Sequence, residues 1–261
     1  ETVFTFSRHE RKNIMKKIIA TFLLLLTLTA PLFGCDNSDI SEASDPQSTA
    51  EVISRTTPNP ETDFEYSALE NGTISIDKYI GNAAEVVIPD TIDGIPVTLI
   101  EISAFSGYEI DSSAFEACRL LEKVILPEGL KTINGMAFRR CESLSFIELP
   151  QGLEALRCEA FRECKSLKSL RIPPNCFKNY SQELFNDSGI ETLQLSEGIT
   201  SIPSICILDI PSLKKLILLT TLKEINSNSI AGCPELEEII LPEGLEKISN
   251  AAFAANSKLK E

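Results

Sequence analysis

A 23-residue repeat runs through the second half of the chain and constrains its fold more than any other feature. A fixed period in this range predicts stacked units, each of which buries its apolar side only against its neighbours. Such a stack presents an extended surface rather than a closed pocket, so the repeat favours a binding role. The rows that keep the spacing are Phe115, Phe138 and Phe161; Cys118, Cys141 and Cys164; Pro127, Pro150 and Pro173; and Leu121, Leu144, Leu167, Ile190, Leu213, Leu236 and Leu259.

Within each repeat, the segment Leu121-x-x-Val124-x-Leu126 and its equivalents carry the strand pattern of leucine-rich repeats. We expect these strands to stack in parallel about 4.8 Å apart, with Pro127 ending the strand and Gly129 supplying the turn. The Ala-Phe-x-x-Cys piece is predicted to form one short helical turn on the far side, with its phenylalanine in the core. The predicted fold class is an α/β repeat, a leucine-rich-repeat solenoid with a stacked parallel β-sheet.

A hairpin is predicted before the first repeat, because alternating apolar residues lie on both sides of Asn71-Gly72. Asn-Gly is a strong hairpin signal, since both residues tolerate positive φ. We therefore assign residues 64–261 to a leucine-rich repeat domain. Residues 64–85 form its N-terminal hairpin cap and residues 86–261 its repeats, and the C-terminal end is expected to be uncapped.

The register of the repeat is irregular in two places. Phe105 and Phe115 are ten residues apart, so the register slips between them. In the degenerate coils around 174–210, Asp187 and Ile210 replace the cysteine of the ladder.

The beginning of the chain has the pattern of an export signal. Met15 is followed by two lysines, an apolar run and Leu-Phe-Gly-Cys, which ends at Cys35. This ending resembles the bacterial lipobox, in which the cysteine becomes the lipidated first residue. The alternative is an ordinary signal peptide with an incidental cysteine. We therefore predict a lipoprotein signal peptide at 15–34 and a lipid anchor at Cys35, which holds the protein on the extracytoplasmic face of the cell membrane.

Two segments flank this signal. Residues 1–14 carry no sustained hydrophobic pattern, and we expect them to be an upstream extension that is not native. Residues 35–63 comprise the lipidated cysteine and a stretch rich in Ser, Thr, Pro and Asp. That composition predicts a flexible linker between the membrane and the repeats.

The repeat residues resemble a known family, the BspA-like (treponemal-type) bacterial leucine-rich repeats. The pattern Ile-Pro…Ile…Ala-Phe-x-x-Cys-x-x-Leu is similar, and the likeness covers roughly residues 64–261. The resemblance implies a secreted or surface-attached bacterial protein that binds host or neighbouring-cell ligands, with no catalysis. The lead-in segments that share it are Phe64-Glu65-Tyr66, Gly72-Thr73-Ile74, Val86-Val87-Ile88-Pro89 and Asp93-Gly94-Ile95-Pro96-Val97.

Several classes of chemistry are disfavoured by composition. The formal net charge of −14 repels phosphate backbones, which argues against nucleic acid as a partner. His9 is the single histidine and precedes Met15, so the mature chain lacks His-based nucleophile pairs and His metal ligands. No P-loop or Gly-x-Gly-x-x-Gly motif is present. We predict no enzyme activity, no cofactor, no metal and no small-molecule substrate.

The eight cysteines are interpreted mainly as packing residues. Cys118, Cys141 and Cys164 occupy one repeat position and should stack on neighbouring coils as buried thiols. Disulfides and a metal site are the alternatives. Cys158 falls at a polar position and is expected to be exposed.

The outward side of the stacked strands is the predicted ligand face, because strand alternation points every second side chain away from the core. Four of its residues are apolar, which suggests an interaction surface; the alternative is that apolar residues merely suit strands. The face comprises Lys123, Ile125, Phe146, Glu148, Ser169, Arg171, Thr192, Gln194, Lys215, Ile217, Glu238 and Ile240.

The sequence thus predicts a non-enzymatic cell-surface lipoprotein whose repeats serve as an adhesion module for protein or glycan partners. One alternative is a structural repeat module of a truncated larger surface protein, with the function in a missing C-terminal part. A second alternative is an extracytoplasmic enzyme that uses carboxylates.

Overall fold

The repeats form a parallel β-solenoid of about seven turns, with a period of about 23 residues and almost no helix. A computed structural model describes residues 57–102, 104–105, 119–177 and 181–260. The predicted solenoid and its period are confirmed, whereas the described residues contain almost none of the predicted helix. The predicted signal segment, Cys35, His9, Phe115 and Cys118 lie outside the described residues.

Among the described residues, Arg119 and Leu120 are helical, and the other elements are short strands and one 3-10 helix, Glu61–Asp63. The strands are β1 (Phe64–Ala68), β2 (Ile74–Tyr79), β3 (Glu85–Val87), β4 (Thr91–Ile92), β5 (Ile95–Ile100), β6 (Lys123–Ile125), β7 (Thr132–Ile133), β8 (Phe146–Ile147), β9 (Ala155–Leu156), β10 (Ser169–Ile172), β11 (Thr192–Leu195), β12 (Ser201–Ile202), β13 (Ile207–Leu208), β14 (Lys215–Ile217), β15 (Glu224–Ile225), β16 (Ile230–Ala231), β17 (Glu238–Ile239) and β18 (Lys247–Ile248).

Successive coils pair through parallel strands on three sides of the solenoid. The first side holds β3-β6-β8 and β10-β11-β14-β17, the second β2-β5-β7-β9 and β12-β15-β18, and the third β13-β16. Thr192 pairs with Ser169 and with Lys215, 23 residues away in each direction. Paired residues on neighbouring coils are therefore separated by one sequence period.

Alternation within the strands separates the core from the surface. In β10, Ser169 and Arg171 are exposed while Leu170 and Ile172 are buried. This is the expected behaviour of a strand with one face in the core. The leucine and isoleucine positions of the predicted strand signature therefore line the interior.

The last described coil shows how much each coil depends on a neighbour. Leu241 and Ile248 are 42% and 48% exposed. Leu195 is the equivalent of Leu241 two coils earlier, and Ile225 is the equivalent of Ile248 one coil earlier. Both Leu195 and Ile225 are buried. A coil thus buries these positions only when another coil lies on it.

An aromatic column runs through the core on the third side. Phe138 and Phe161 stack with ring centroids 5.4 Å apart and planes only 2° from parallel. The predicted placement of the repeat phenylalanines in the core is confirmed for these two. The column comprises Phe64, Tyr79, Phe105, Phe138, Phe161 and Phe185.

Phe105 precedes Phe138 in this column, with ring centroids 4.9 Å apart. The two residues are 33 positions apart in the chain, and Ile100 and Ile133 pair at the same interval. This coil therefore contains ten residues more than the period, which explains the irregular spacing of phenylalanines in the sequence.

The third side is not helical at the Ala-Phe-x-x-Cys copies that the structure describes, 137–141 and 160–164, so the predicted short helical turn is wrong there. The N–H groups of Met136, Phe138 and Arg140 donate to carbonyls of the next coil instead of to their own turn. This requires left-handed backbone at intervals, and Met136 and Arg140 have φ of 57° and 62°. Hydrogen bonds between coils compensate for a conformation that side chains normally disfavour.

The ladder cysteines at 141 and 164 are fully buried thiols, as predicted. Cys141 Sγ donates to Phe105 O at 3.3 Å, and Cys164 Sγ donates to Phe138 O at 3.1 Å. Burial raises the pKa of the Cys233 thiol to about 11, which disfavours the reactive thiolate. Cys158 is exposed, also as predicted.

One coil shifts by a residue between Phe161 and Phe185, which are 24 rather than 23 apart. Ser188, and not Asp187, consequently takes the buried cysteine position; Asp187 is exposed with φ 56°. The register is restored at Gly189, whose N–H donates to Cys164 O at 2.9 Å.

The predicted N-terminal hairpin is present as the antiparallel pair β1–β2, and β2 lies parallel to β5. Residues assigned to the linker also contact the domain. Asn59 donates its N–H to Val87 O and accepts from Val87 N at 2.8 Å. Both contacts lie along the edge of β3, at the start of the first stack.

Truncation of the aromatic column should destabilise the solenoid strongly. Phe138→Ala is expected to lower the free energy of unfolding by about 3–5 kcal/mol, because it leaves a cavity between two stacked rings. Urea denaturation followed by circular dichroism measures this change. Phe146→Ala is the matched control, since Phe146 is an exposed phenylalanine of the same repeats, and it should cost less than about 1 kcal/mol. Equal costs for the two variants would contradict a core role for the column.

Gly189→Ala should be poorly tolerated, because an added Cβ would lie 1.8 Å from Lys165 O. Backbone must move to relieve this contact, so we expect a loss of more than about 2 kcal/mol in the free energy of unfolding. Gly129→Ala is the control, as its Cβ would meet its nearest atom, Val97 O, at 3.9 Å. Matching urea midpoints for the two variants would refute the close approach at Gly189.

Candidate binding surface

The outward face of the first stack is defined by the side chains that β3, β6, β8, β10, β11, β14 and β17 point away from the core, together with residues directly following two of these strands. Strand alternation places these side chains in two columns along the solenoid axis, about 4.8 Å apart from coil to coil. In the first column, Lys123 pairs with Phe146, and Ser169, Thr192, Lys215 and Glu238 follow one another in register.

The second column begins at Val87 and Ile125 and includes the aligned Arg171, Gln194 and Ile217. Glu148 and Ile240 occupy its equivalent positions after β8 and β17. Phe146, Glu148, Ser169, Arg171, Lys215 and Ile240 are exposed, and Lys123, Ile125, Thr192, Gln194 and Ile217 are half-buried. The side chain of Glu238 is outside the described part of the structure.

Phe146 is a partly exposed aromatic ring on this face, with 36% of its surface accessible. The Lys123 ammonium lies 5.5 Å from its centroid, in a cation–π arrangement. Lys123 also faces Glu85 across the β3–β6 pair, at 4.0 Å. The ring is therefore held by neighbours in the same column while one side stays accessible.

The apolar residues of the face form two separate patches rather than one row. Ile125 and Phe146 lie on neighbouring coils at one end, and Ile217 and Ile240, the latter 75% exposed, lie on neighbouring coils at the other. Polar side chains on β10 and β11 separate them.

The middle of the face is rich in cations. Lys168 and Lys214 flank β10 and β14, and both contact Glu191, at 3.6 and 2.7 Å. The hydrogen bond from Lys214 and its charge hold the pKa of Glu191 below its usual value. Glu191 therefore stays ionised and bridges three consecutive coils.

Two positions of the face were not predicted from the sequence. Glu85 and Val87 lie on β3 and pair in register with Lys123 and Ile125. The signal that could have found them is the Val86-Val87-Ile88-Pro89 segment, which repeats the strand-then-proline order of the later coils.

The described ranges lack two features. No group of three or more His, Cys, Asp or Glu side chains there is placed to hold a metal ion. No helix in the same part of the chain has the length and apolar character needed to span a bilayer.

A family model described as the BspA type leucine rich repeat region matches residues 108–213 and 136–260, with six copies. These ranges cover more than half of the chain. No curated protein matches the chain in sequence.

Several solved bacterial structures share the fold. A leucine rich repeat protein of T. pallidum is 24% identical with a TM-score of 0.52, covering 78% of this chain and 92% of that one. A leucine-rich repeat protein from Bacteroides ovatus is 23% identical with a TM-score of 0.58, covering 74% of this chain and 49% of that one. A leucine rich cell surface protein from Faecalibacterium prausnitzii is 20% identical with a TM-score of 0.56, covering 78% and 54%. The chain thus spans about half the length of the latter two, and the comparisons indicate no catalytic family.

Proposed function

This chain belongs to the BspA-type leucine-rich repeat proteins, and we propose that it is a non-enzymatic cell-surface binding module that engages protein or glycan partners through its outward face. Leucine-rich repeats generally mediate interactions, and a solenoid offers an extended surface for them. The relative from Faecalibacterium prausnitzii is described as a cell surface protein, which supports the same location for this chain.

The observation that carries the proposal is the accessible, in-register outward face. Strand pairing fixes its backbone, so its side chains are presented at regular intervals with little freedom to be lost on binding. Phe146 and Ile240 are large apolar side chains exposed on this face. Exposed apolar residues beside polar ones are typical of interaction surfaces.

Attachment to the membrane is the second part of the proposal. The leader pattern ends at Cys35, and a Ser-, Thr- and Pro-rich stretch follows it. A lipid on Cys35 would hold the protein at the extracytoplasmic surface. The stretch from 36 to 63 would then act as a tether, of which residues 59–63 pack on the solenoid.

The alternative is a repeat module of a larger surface protein. The chain covers 49% and 54% of two structural relatives, so proteins of this fold exist in longer forms. In that case the outward face would act together with other segments.

Removal of apolar side chains from the outward face tests the binding role. Phe146→Ser combined with Ile217→Ser should reduce capture of partners from extracellular matrix or neighbouring bacterial cells at least about tenfold, because few anchors carry most interface energy. Quantitative pull-down with the purified chain measures capture, and thermal unfolding monitors the fold. The control is Ile80→Ser with Ile248→Ser, which removes exposed isoleucines elsewhere. If the Phe146→Ser, Ile217→Ser variant captures partners as well as the unmodified chain does, the proposed binding role is wrong.

Substitution of Cys35 tests the anchor. In a bacterial host, Cys35→Ser should abolish incorporation of labelled palmitate and move the protein from the membrane fraction to the soluble or secreted fraction, because the serine cannot form the thioether. Cys158→Ser is the control, since it replaces an exposed cysteine of the repeats. Membrane retention and labelling of the Cys35 variant would rule out lipidation at this position.

A further inference from the structure

A basic strip crosses the outward face of this acidic protein. It consists of outward and flanking residues of three consecutive strands, β10, β11 and β14, without Ile217 of β14, which belongs to the apolar patch beside it. Four cations and one carboxylate give it a net charge of +3, whereas the whole chain carries −14. The strip comprises Lys168, Ser169, Arg171, Glu191, Thr192, Gln194, Lys214 and Lys215.

The strip is accessible and its positions are fixed. Lys168 and Lys214 side chains are each 60% exposed, and Arg171 and Lys215 are exposed as well. β10, β11 and β14 pair in continuous parallel register. The cations therefore lie within a few coil spacings of about 4.8 Å, and the exposed Glu148 on the preceding coil marks one limit of the strip.

Hydroxyl and amide groups occupy the remaining positions of the strip. Ser169, Thr192 and Gln194 can donate and accept hydrogen bonds, and these three positions and Arg171 offer no apolar anchor. Protein partners depend on buried aromatic or aliphatic anchors. The backbone of β11 is already paired on both sides, so an extended peptide cannot add to it as a strand.

Phe146 lies one coil before Ser169, at the border of the strip. Its exposed ring is a surface against which the C–H face of a sugar ring can pack. The hydroxyl and amide groups of the strip, its cations and the adjoining aromatic ring together favour a ligand that is polar, contains sugar rings and carries negative charge.

We propose that the basic strip binds a linear anionic glycan, whose carboxylate or sulfate groups contact Arg171 and Lys215 and whose hydroxyl groups contact Ser169, Thr192 and Gln194. This inference rests on the proposed binding role of the outward face and names the ligand class for its middle. The local positive charge attracts such a ligand although the molecule is acidic. At physiological salt, screening limits the electric field of each charge to about 8 Å, so distant carboxylates have little effect at the strip.

Titration of the full-length chain with defined polymers tests the proposal. Heparin fragments and polygalacturonate are the anionic probes, dextran is the neutral one, and poly-glutamate and single-stranded DNA are anions of other classes. We expect binding of at least one anionic glycan that weakens as salt is raised, with no binding of dextran. Absence of binding to both anionic glycans, or equally tight binding of poly-glutamate or DNA, overturns the proposal.

Charge reversal locates the site. Arg171→Glu with Lys215→Glu should weaken glycan binding at least about tenfold, and the milder Arg171→Gln with Lys215→Gln should weaken it less. Lys131→Glu with Lys223→Glu is the matched control, because both lysine side chains, 51% and 45% exposed, lie on another side and pair with glutamates of the next coil. This control should change affinity less than about twofold. An equal loss in the control overturns the assignment.

The two proposals fail separately. If anionic glycans do not bind but Phe146→Ser with Ile217→Ser abolishes capture of partners, the glycan inference is overturned and the binding role stands. If glycan binding requires Arg171 and Lys215, both are supported.

Discussion

Burial of one coil by the next is the constraint on which this structure depends. Most core side chains are covered by residues about 23 positions away, and backbone N–H groups on all three sides donate to neighbouring coils. A single coil has no interior of its own. Stability is therefore built from interfaces between coils, as in other solenoids, and the surface chemistry follows from which side chains those interfaces leave outside.

Salt bridges follow the same interval and reinforce the register. Lys131–Glu154, Lys223–Glu246 and Lys258–Glu235 each join residues 23 apart. Such exposed pairs contribute little individually. A displaced coil, however, would leave these charges without their opposite neighbours, so the pairs favour the correct register over its alternatives.

The features that follow from the 23-residue period could be predicted from the sequence. The features that depend on irregular spacing or unusual backbone conformation could not. The spacing of Leu170, Leu193 and Leu216 was enough to assign parallel strands and to separate inward from outward residues. It could not show that Phe105 occupies the column position before Phe138, because ten extra residues hide that relation. Nor could it show left-handed backbone at Arg140 and Glu163, since neither residue type favours that conformation. For the outward face, the residues were predictable, but their division into two apolar patches and a basic strip became visible only with the register.

The recurring interval of about 23 residues between contacts has a consequence for how proteins of this kind change over generations. A gene segment encoding whole coils can be duplicated or deleted by unequal recombination, and only the contacts at the junction are new. The new junction keeps the register when a lysine meets a glutamate, as at Lys131 and Glu154, and when an aromatic or branched residue lies next in the core column. Ligand-facing side chains play no part in that fit. Surface specificity is thereby free to diversify while the scaffold is inherited in units.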